Sequence, residues 1–441
     1  MSRQGNLAIL LCVVLAWISL ANAVYAQSIS RKRISGVSPQ DVALHELLVQ
    51  AKAAADKQDY AAAETNYLKY LAQKPNDASA HFDLGFVYTT ENESQKAQAE
   101  YRKAIALDPK MTEAYLNLGV SLLAEDPKAA IQPLEEVTKL NYSYAKAHFL
   151  LGIAHERAGD SQKSIAAFTI AETLDPNDLE THLELGRELL VSRNSAGAAE
   201  SEFREALRLK ADDSDAQMGL ARSLVAQNKS AEAEAALKNY LNEKPNDANA
   251  RMLHASLLTD LKKDDEALAE LERLGKDGPE TLESVKLRSL IYYNEKKYDQ
   301  SAAALQRAKA LAPQDAEIRA RLGHVLLQLK QYPEAAQELN EAFRLDTKET
   351  ETLRDLVAAE YLSEDYPATL AAMNVLEQRE APQPGVWFVR ATCYDHMGQA
   401  KAALDAYQKF LSLNTDKNSN QYFEAAARAR FLEKMLKDKG K

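Results

Sequence analysis

The 441-residue chain holds only 15 Gly and 13 Pro, too few for a turn-rich all-β sandwich or a low-complexity chain. Its 54 Lys and Arg stand against 65 Asp and Glu, a net charge of −11, so it is a poor general binder of nucleic acid or anionic membrane. Two Cys exclude a disulfide-dense scaffold, and the abundance of Ala and Leu, the strongest helix formers, points to an all-α protein.

The N-terminus reads as a secretory leader over residues 1–26. Arg3 supplies a weak positive start, and Leu7 to Leu20 is an apolar run of 14 residues broken only by Ser19. Ala21-Asn22-Ala23 and Val24-Tyr25-Ala26 each offer a small residue for cleavage. The expected location is therefore exported, periplasmic or secreted, with no membrane span once the leader is cut. The alternative is an uncleaved anchor, which Arg31-Lys32-Arg33 behind the apolar run would favour. Cys12 leaves with the leader, and Cys393 remains as a lone thiol expected to be buried. Residues 27–43, polar and basic with Gly36 and Pro39, read as a flexible lead-in.

From Leu44 onward the chain repeats. Gly85 and Gly119 lie 34 residues apart, each preceded by Leu, in Phe82-Asp83-Leu84-Gly85 and Leu116-Asn117-Leu118-Gly119. Leu151-Gly152, Leu185-Gly186 and Leu322-Gly323 continue the series. Each phrase is followed by a second one: Ala97, Tyr101, Ala104 and Pro109 after Gly85, and Ser164, Phe168, Ala171 and Pro176 after Gly152. Two small residues facing each other let a pair of helices cross closely. An aromatic fills the gap to the neighbouring repeat, and the Pro ends the second helix. Asn76-Asp77, Asn177-Asp178 and Asn246-Asp247 sit where they can cap the next helix.

These landmarks resemble the tetratricopeptide repeat. Eleven repeats fit between Leu44 and Lys417, starting at Leu44, Ala78, Thr112, Ala145, Leu179, Ser214, Ala248, Leu282, Ala316, Thr350 and Pro384. The third is one residue short near Asp126 and the fifth one residue long near Ser195. The resemblance implies an all-α, right-handed superhelical solenoid of helix-turn-helix repeats. Residues 418–441 supply a C-terminal capping helix and basic tail, whose stripe Phe423, Ala427, Phe431 and Met435 recurs at helical spacing.

The motifs of catalysis are missing. There is no phosphate loop, nucleophile elbow or paired Cys, and His45-Glu46 lacks the second His of a zinc protease. No metal, cofactor or enzymatic role is expected. His81, His148 and His182 share the fourth position of their repeats, so they lie one repeat apart and do not converge as metal ligands must. Glu135-Glu136 and Asp212-Asp213 are sequential neighbours, expected to be surface or turn rather than an acid/base pair. Trp387 is expected in the core.

The resemblance places ligand contacts on the first helix of each repeat, in a concave groove. Its contact positions here hold Phe82, Phe86, Asn117, Lys146 and Phe149, then Arg187, Arg222, Lys286, Arg321 and Arg354, with Tyr293, His324 and Tyr361 beside them. One end reads as apolar and the rest as basic, diluted by Glu184, Glu351 and Asp355. The family's clamp for a chaperone's terminal carboxylate is matched only at Asn117 and Lys146, so that mode is not expected. The implied function is a non-catalytic protein-interaction scaffold of the bacterial cell envelope, with an unidentified peptide or protein as partner. The alternative is an accessory subunit of an envelope enzyme or polysaccharide export system. N-terminal sequencing of protein from the envelope fraction is expected to start at Gln27 or Val24; a full-length chain held in the inner membrane and facing the cytoplasm contradicts export.

Overall fold

The turn between the two helices of a repeat has a fixed stereochemistry. In the computed structural model, which describes residues 39–192 and 195–439, Gln58, Asn92, Asn228, Lys262, Lys296, Lys330 and Glu364 all have φ close to +60°, and Gly159 and Gly398 have φ of 83° and 71°. All nine occupy the fifteenth position of their repeats. The next residue closes the turn through its backbone N–H, as Gln331 does on the Leu326 carbonyl at 2.9 Å and Lys297 on Tyr292 at 2.8 Å. This left-handed closure satisfies carbonyls that the ended helix leaves open. In the short third repeat Asp126 has φ −142° and caps the following helix through Ala129 N–H.

Twenty-three helices and no strand are found among the described residues. The helices Ala78–Thr90, Thr112–Leu122, Ala145–Ala158 and Leu179–Val191 begin at expected repeat starts. So do Ser214–Ala226, Ala248–Asp260, Leu282–Asn294, Ala316–Gln328, Thr350–Leu362 and Pro384–His396. The aspartates of the predicted caps accept the expected bonds: Asp77 from Ala80 N–H at 3.0 Å, Asp178 from Thr181 at 3.2 Å and Asp247 from Ala250 at 3.0 Å. Tyr70 and Tyr240 donate their hydroxyls to Asp77 and Asp247 and so hold those caps in place.

The first described helix is Pro39–Asp56, so residues 39–43 of the expected lead-in are helical. Pro39 needs no N–H partner in a first turn, and Asp41 there suits the helix dipole. The rest of the lead-in, Arg31-Lys32-Arg33 and the leader lie outside the described residues. No helix among the described residues is long and apolar enough to cross a membrane.

The chain divides into two compact units, one ending at Glu188 and one starting at Leu189. In the N-terminal unit Gly85, Gly119 and Gly152 each lie against the bulky side chain of their own repeat's second helix. A Cβ built on Gly85 would stand 2.8 Å from the Tyr101 ring, one on Gly119 2.6 Å from Leu134, and one on Gly152 2.5 Å from Phe168. Ser164 ties the same crossing by donating its hydroxyl to the Gly152 carbonyl at 3.0 Å. Tyr67, Leu84, Tyr101, Leu134 and Phe168 are fully buried.

The C-terminal unit repeats the scheme. Gly323 faces Leu339 at 2.4 Å for a built Cβ, and Gly219 faces Phe203 of the preceding repeat at 2.2 Å. The Ser301 hydroxyl donates to the Ser289 carbonyl at 2.9 Å. Cys393 is a buried free thiol, its pKa pushed up to about 11 by burial. Trp387 is half-buried against the last apolar cluster.

The C-terminal helix differs from the expectation. The helix Asn420–Lys439 packs through Ala425, Ala429 and Leu432, and of the expected stripe only Met435 lies against the same cluster. Phe423 is 61% and Phe431 54% exposed. The small Ala face allows a close approach that the Phe face would prevent. Arg428 holds the helix down by bonding Asp395 and stacks over the Phe431 ring, 4.8 Å from its centroid.

The fourth-position side chains have a common task. In the N-terminal unit the Nε2 of His81, His148 and His182 lies 2.9, 2.9 and 3.1 Å from the carbonyls of Pro75, Tyr142 and Pro176. In the C-terminal unit Gln217 donates to Ala211, Arg251 to Pro245 and Arg319 to Pro313 in the same way. A donor early in one repeat thus holds the closing turn of the repeat before it.

Two stability effects follow. Gly119→Leu is expected to cost roughly 1–3 kcal/mol by overpacking against Leu134, read as a lower urea midpoint. Lys330→Gly is expected to add about 0.5–1 kcal/mol by relieving a left-handed non-glycine residue whose side chain is exposed, read as a higher midpoint in the same assay.

Candidate functional site

The candidate contact residues of the N-terminal unit sit on the first helices at graded depth. Phe82 is half-buried, its ring 5.9 Å from that of Tyr101. The Tyr101 hydroxyl meets Thr89 Oγ1 at 2.8 Å and bonds the Asn117 side chain. Phe86 and Asn117 are also half-buried. Lys146 places its Nζ 4.1 Å above the centre of the Phe149 ring. Burial lowers the Lys146 pKa, against the opposing pull of Asp178 and Glu180. Phe149 itself is 3% exposed and packs 5.7 Å from Phe168. Covered by Lys146 and packed on Phe168, it is a core residue that floors the Lys146 site, not a contact residue. Arg187 is paired with Glu184 at 2.6 Å.

In the C-terminal unit the expected basic surface is paired throughout most of its length. Lys286 meets Glu317 at 2.9 Å, and Arg321 meets the same carboxylate at 2.7 Å. Arg354 meets Glu351 at 2.8 Å and also Glu380. These are pairs one helical turn apart, or pairs reaching the next helix, at spacings that bring opposite charges together. Arg222 is exposed and helps hold the Asp247 carboxyl low; the burial of Asp247 works the other way but is outweighed by Tyr240, two backbone N–H groups and the Arg222 charge. The surface is a mosaic of both signs rather than a positive stretch, which corrects the reading of these residues as a basic end.

A second arrangement in this unit joins residues from three successive repeats. The Tyr293 hydroxyl is 2.9 Å from His324 Nε2, and His324 Nδ1 is 2.8 Å from Asp355 Oδ2. The hydrogen bond to Asp355 raises the His324 pKa, against partial burial, and the charges of Asp355 and Glu351 add to it. Tyr293, His324 and Asp355 are 31 residues apart, as are Lys286 and Glu317. A position on one first helix therefore meets the position three earlier on the next. That 31-residue diagonal is the signal in the sequence for such contacts, hidden behind the stronger 34-residue period.

Two recesses flank these helices. One of about 270 Å³ opens beside Tyr293, Arg321 and His324, walled by Leu290, Leu305 and Val325. A wider cleft of about 530 Å³ involves the second helices, with Asp265, Glu272, Arg288 and Arg307 on its walls. Both its arginines are drawn to Glu280.

Three family models, each described as tetratricopeptide repeat, match the chain: one at residues 190–257 and 292–359, one at 48–90 and 124–178, and one at 78–111 and 384–417. Among curated proteins, a probable biofilm formation methyltransferase of Pseudomonas putida, WspC, is 37% identical over 68 residues. That stretch is 15% of this chain and spans only 16% of the relative. Among solved structures, YrrB, described as a TPR protein with an unusual peptide-binding site, is 21% identical with a TM-score of 0.40, over 43% of this chain and 97% of that one. MamA of Desulfovibrio magneticus is 22% identical with a TM-score of 0.36, over 38% and 96%. Yeast Tom70 is 13% identical with a TM-score of 0.35, over 90% and 97%.

Proposed function

The chain belongs to the tetratricopeptide repeat family, and from that premise we propose that it is a non-catalytic interaction scaffold that binds a peptide or partner protein through its first helices. The observation that carries this reading is the group Phe82, Phe86, Asn117 and Lys146, half-buried at the positions the family uses for contact. Aromatic rings reachable from solvent and backed by a packed core lose little entropy when a partner covers them. The 68-residue likeness to a methyltransferase is too short to bring an enzymatic activity with it. An envelope location is part of the proposal and rests on the expected leader over residues 1–26.

The paired cations rank the contributions. Because Arg187, Lys286, Arg321 and Arg354 already share carboxylates, a partner must break those pairs to use them, and exposed pairs influence encounter more than affinity. Capture of partners from envelope extract by Phe82→Ala/Phe86→Ala protein is expected to weaken roughly tenfold or more, with the urea midpoint measured alongside to separate folding from binding. Arg187→Glu/Arg222→Glu protein should weaken capture less and lose part of its salt dependence. Retention of every wild-type partner by both variants overturns the assignment of the first-helix face.

A further inference from the structure

The recess of about 270 Å³ in the C-terminal unit combines two features. Its walls are apolar: Leu305 and Val325 are buried, and Leu290, 38% exposed, stands at its mouth. Its rim carries Arg321 and the hydrogen-bonded series Tyr293, His324, Asp355. The volume suits one large aliphatic or aromatic side chain, not a cofactor.

The series has two states. Asp355 accepts from Nδ1–H of His324 in both. With a neutral ring, Nε2 is an acceptor and the Tyr293 hydroxyl donates to it, so its proton is committed. With a cationic ring, Nε2–H becomes the donor, the Tyr293 oxygen accepts, and its proton turns free to meet something else. Protonation of His324 thus reverses one hydrogen bond and releases a donor at the rim of an apolar recess. It also adds a positive charge beside Arg321.

We propose that this recess takes an apolar side chain of an extended peptide whose next residue is acidic, and that Tyr293 donates to that carboxylate only while His324 is protonated. The inference rests on the peptide-binding reading of the first-helix face and names one subsite of it. The occupant follows from charge and hydrogen-bond complementarity: a released hydroxyl donor and an imidazolium select an acceptor with negative charge, while the Arg321 guanidinium is already held by Glu317. The groups acting on His324 are Asp355 and Glu351 from the next first helix, Tyr293 from the preceding one, and Arg321 one turn back on its own. Tyr298, on the second helix of the preceding repeat, stacks on Tyr293 at 5.6 Å. Glu317 is shared by Lys286 and the rim residue Arg321. Because Asp355 holds the His324 pKa above the ordinary imidazole value, capture is strongest below that raised pKa and falls as pH rises through it. A peptide glutamate stays ionised across this window, so the titration belongs to the protein.

The test uses the mature chain and rhodamine-labelled peptides blocked at both ends, containing a Leu-Glu step, a Leu-Gln step or an Ala-Glu step, with binding read by fluorescence anisotropy. The Leu-Glu peptide is expected to bind at about pH 6 roughly five- to tenfold more tightly than at about pH 8. The Leu-Gln peptide should show little pH dependence, and the Ala-Glu peptide should bind weakly at both. His324→Gln should flatten the pH profile. Tyr293→Phe, which keeps the ring against Tyr298, should reduce the preference for Glu over Gln while keeping that for Leu over Ala. Asp355→Asn should move the midpoint to lower pH. The His324 ring signal in NMR, assigned through His324→Gln, should titrate above the ordinary imidazole value and shift further upward with saturating Leu-Glu peptide. A pH-independent Leu-Glu affinity, a Glu preference undiminished by Tyr293→Phe, or a His324 titration unmoved by peptide each overturns the proposal. If no peptide binds while Phe82→Ala/Phe86→Ala still loses its partners, this subsite falls and the scaffold reading stands. If those variants also retain every partner, the first-helix face falls with it.

Discussion

The closest constraint in this molecule is the contact between a residue with no side chain on one helix and a ring or Leu on the other. Gly152 against Phe168 and Gly323 against Leu339 leave no room for even a methyl group. With the helices held that close, the small residue twelve positions on is forced into the same crossing, and Ser164 and Ser301 turn the crowding into a hydrogen bond. The bulky residue cannot rotate away, so it presents a fixed surface on which Phe82 rests, as it does on Tyr101. The depth of Phe82 is therefore set by Gly85, one turn further along its own helix, through the ring of Tyr101.

Much of this was legible because close packing leaves a compositional trace. Small residues at the crossing, a ring twelve or more positions later and a closing Pro recur at one period, and the helix starts coincide with it from Ala78 to Pro384. The left-handed turn residue was not legible, since its position holds Gln, Asn, Lys, Glu or Gly. A backbone demand that any residue meets at a cost of about 1 kcal/mol selects weakly. The C-terminal helix misled for a related reason. Periodicity marks a face but not its direction, and Phe423 and Phe431 drew attention from the smaller Ala425 and Ala429 that pack.

The site was legible only as an inventory. Phe149 and Phe82 occupy the same position of different repeats, yet one is core and the other half-buried. Charge was less readable still. Arg321, Lys286 and Arg354 look basic along the chain, and only the folded diagonal shows their carboxylates. A net charge of −11 leaves acidic neighbours for most cations, so a local excess of one sign is harder to build than the sequence suggests. The Tyr293, His324 and Asp355 series belongs to the same diagonal and links three repeats through side chains that are ordinary in isolation.

The fourth-position donors give each unit a direction. His148, Arg251 and Arg319 reach backward to a carbonyl of the repeat before them. When a repeat detaches from the C-terminal side, the carbonyl it held passes to water at small cost. When one detaches from the N-terminal side, its successor's donor is uncovered in the same way, and Arg251 and Arg319 stay held by Glu270 and Glu338 of their own repeats. Each joint is thus built on the later repeat and offered to the earlier one, so within a unit the donor stands ready before the repeat it grips arrives.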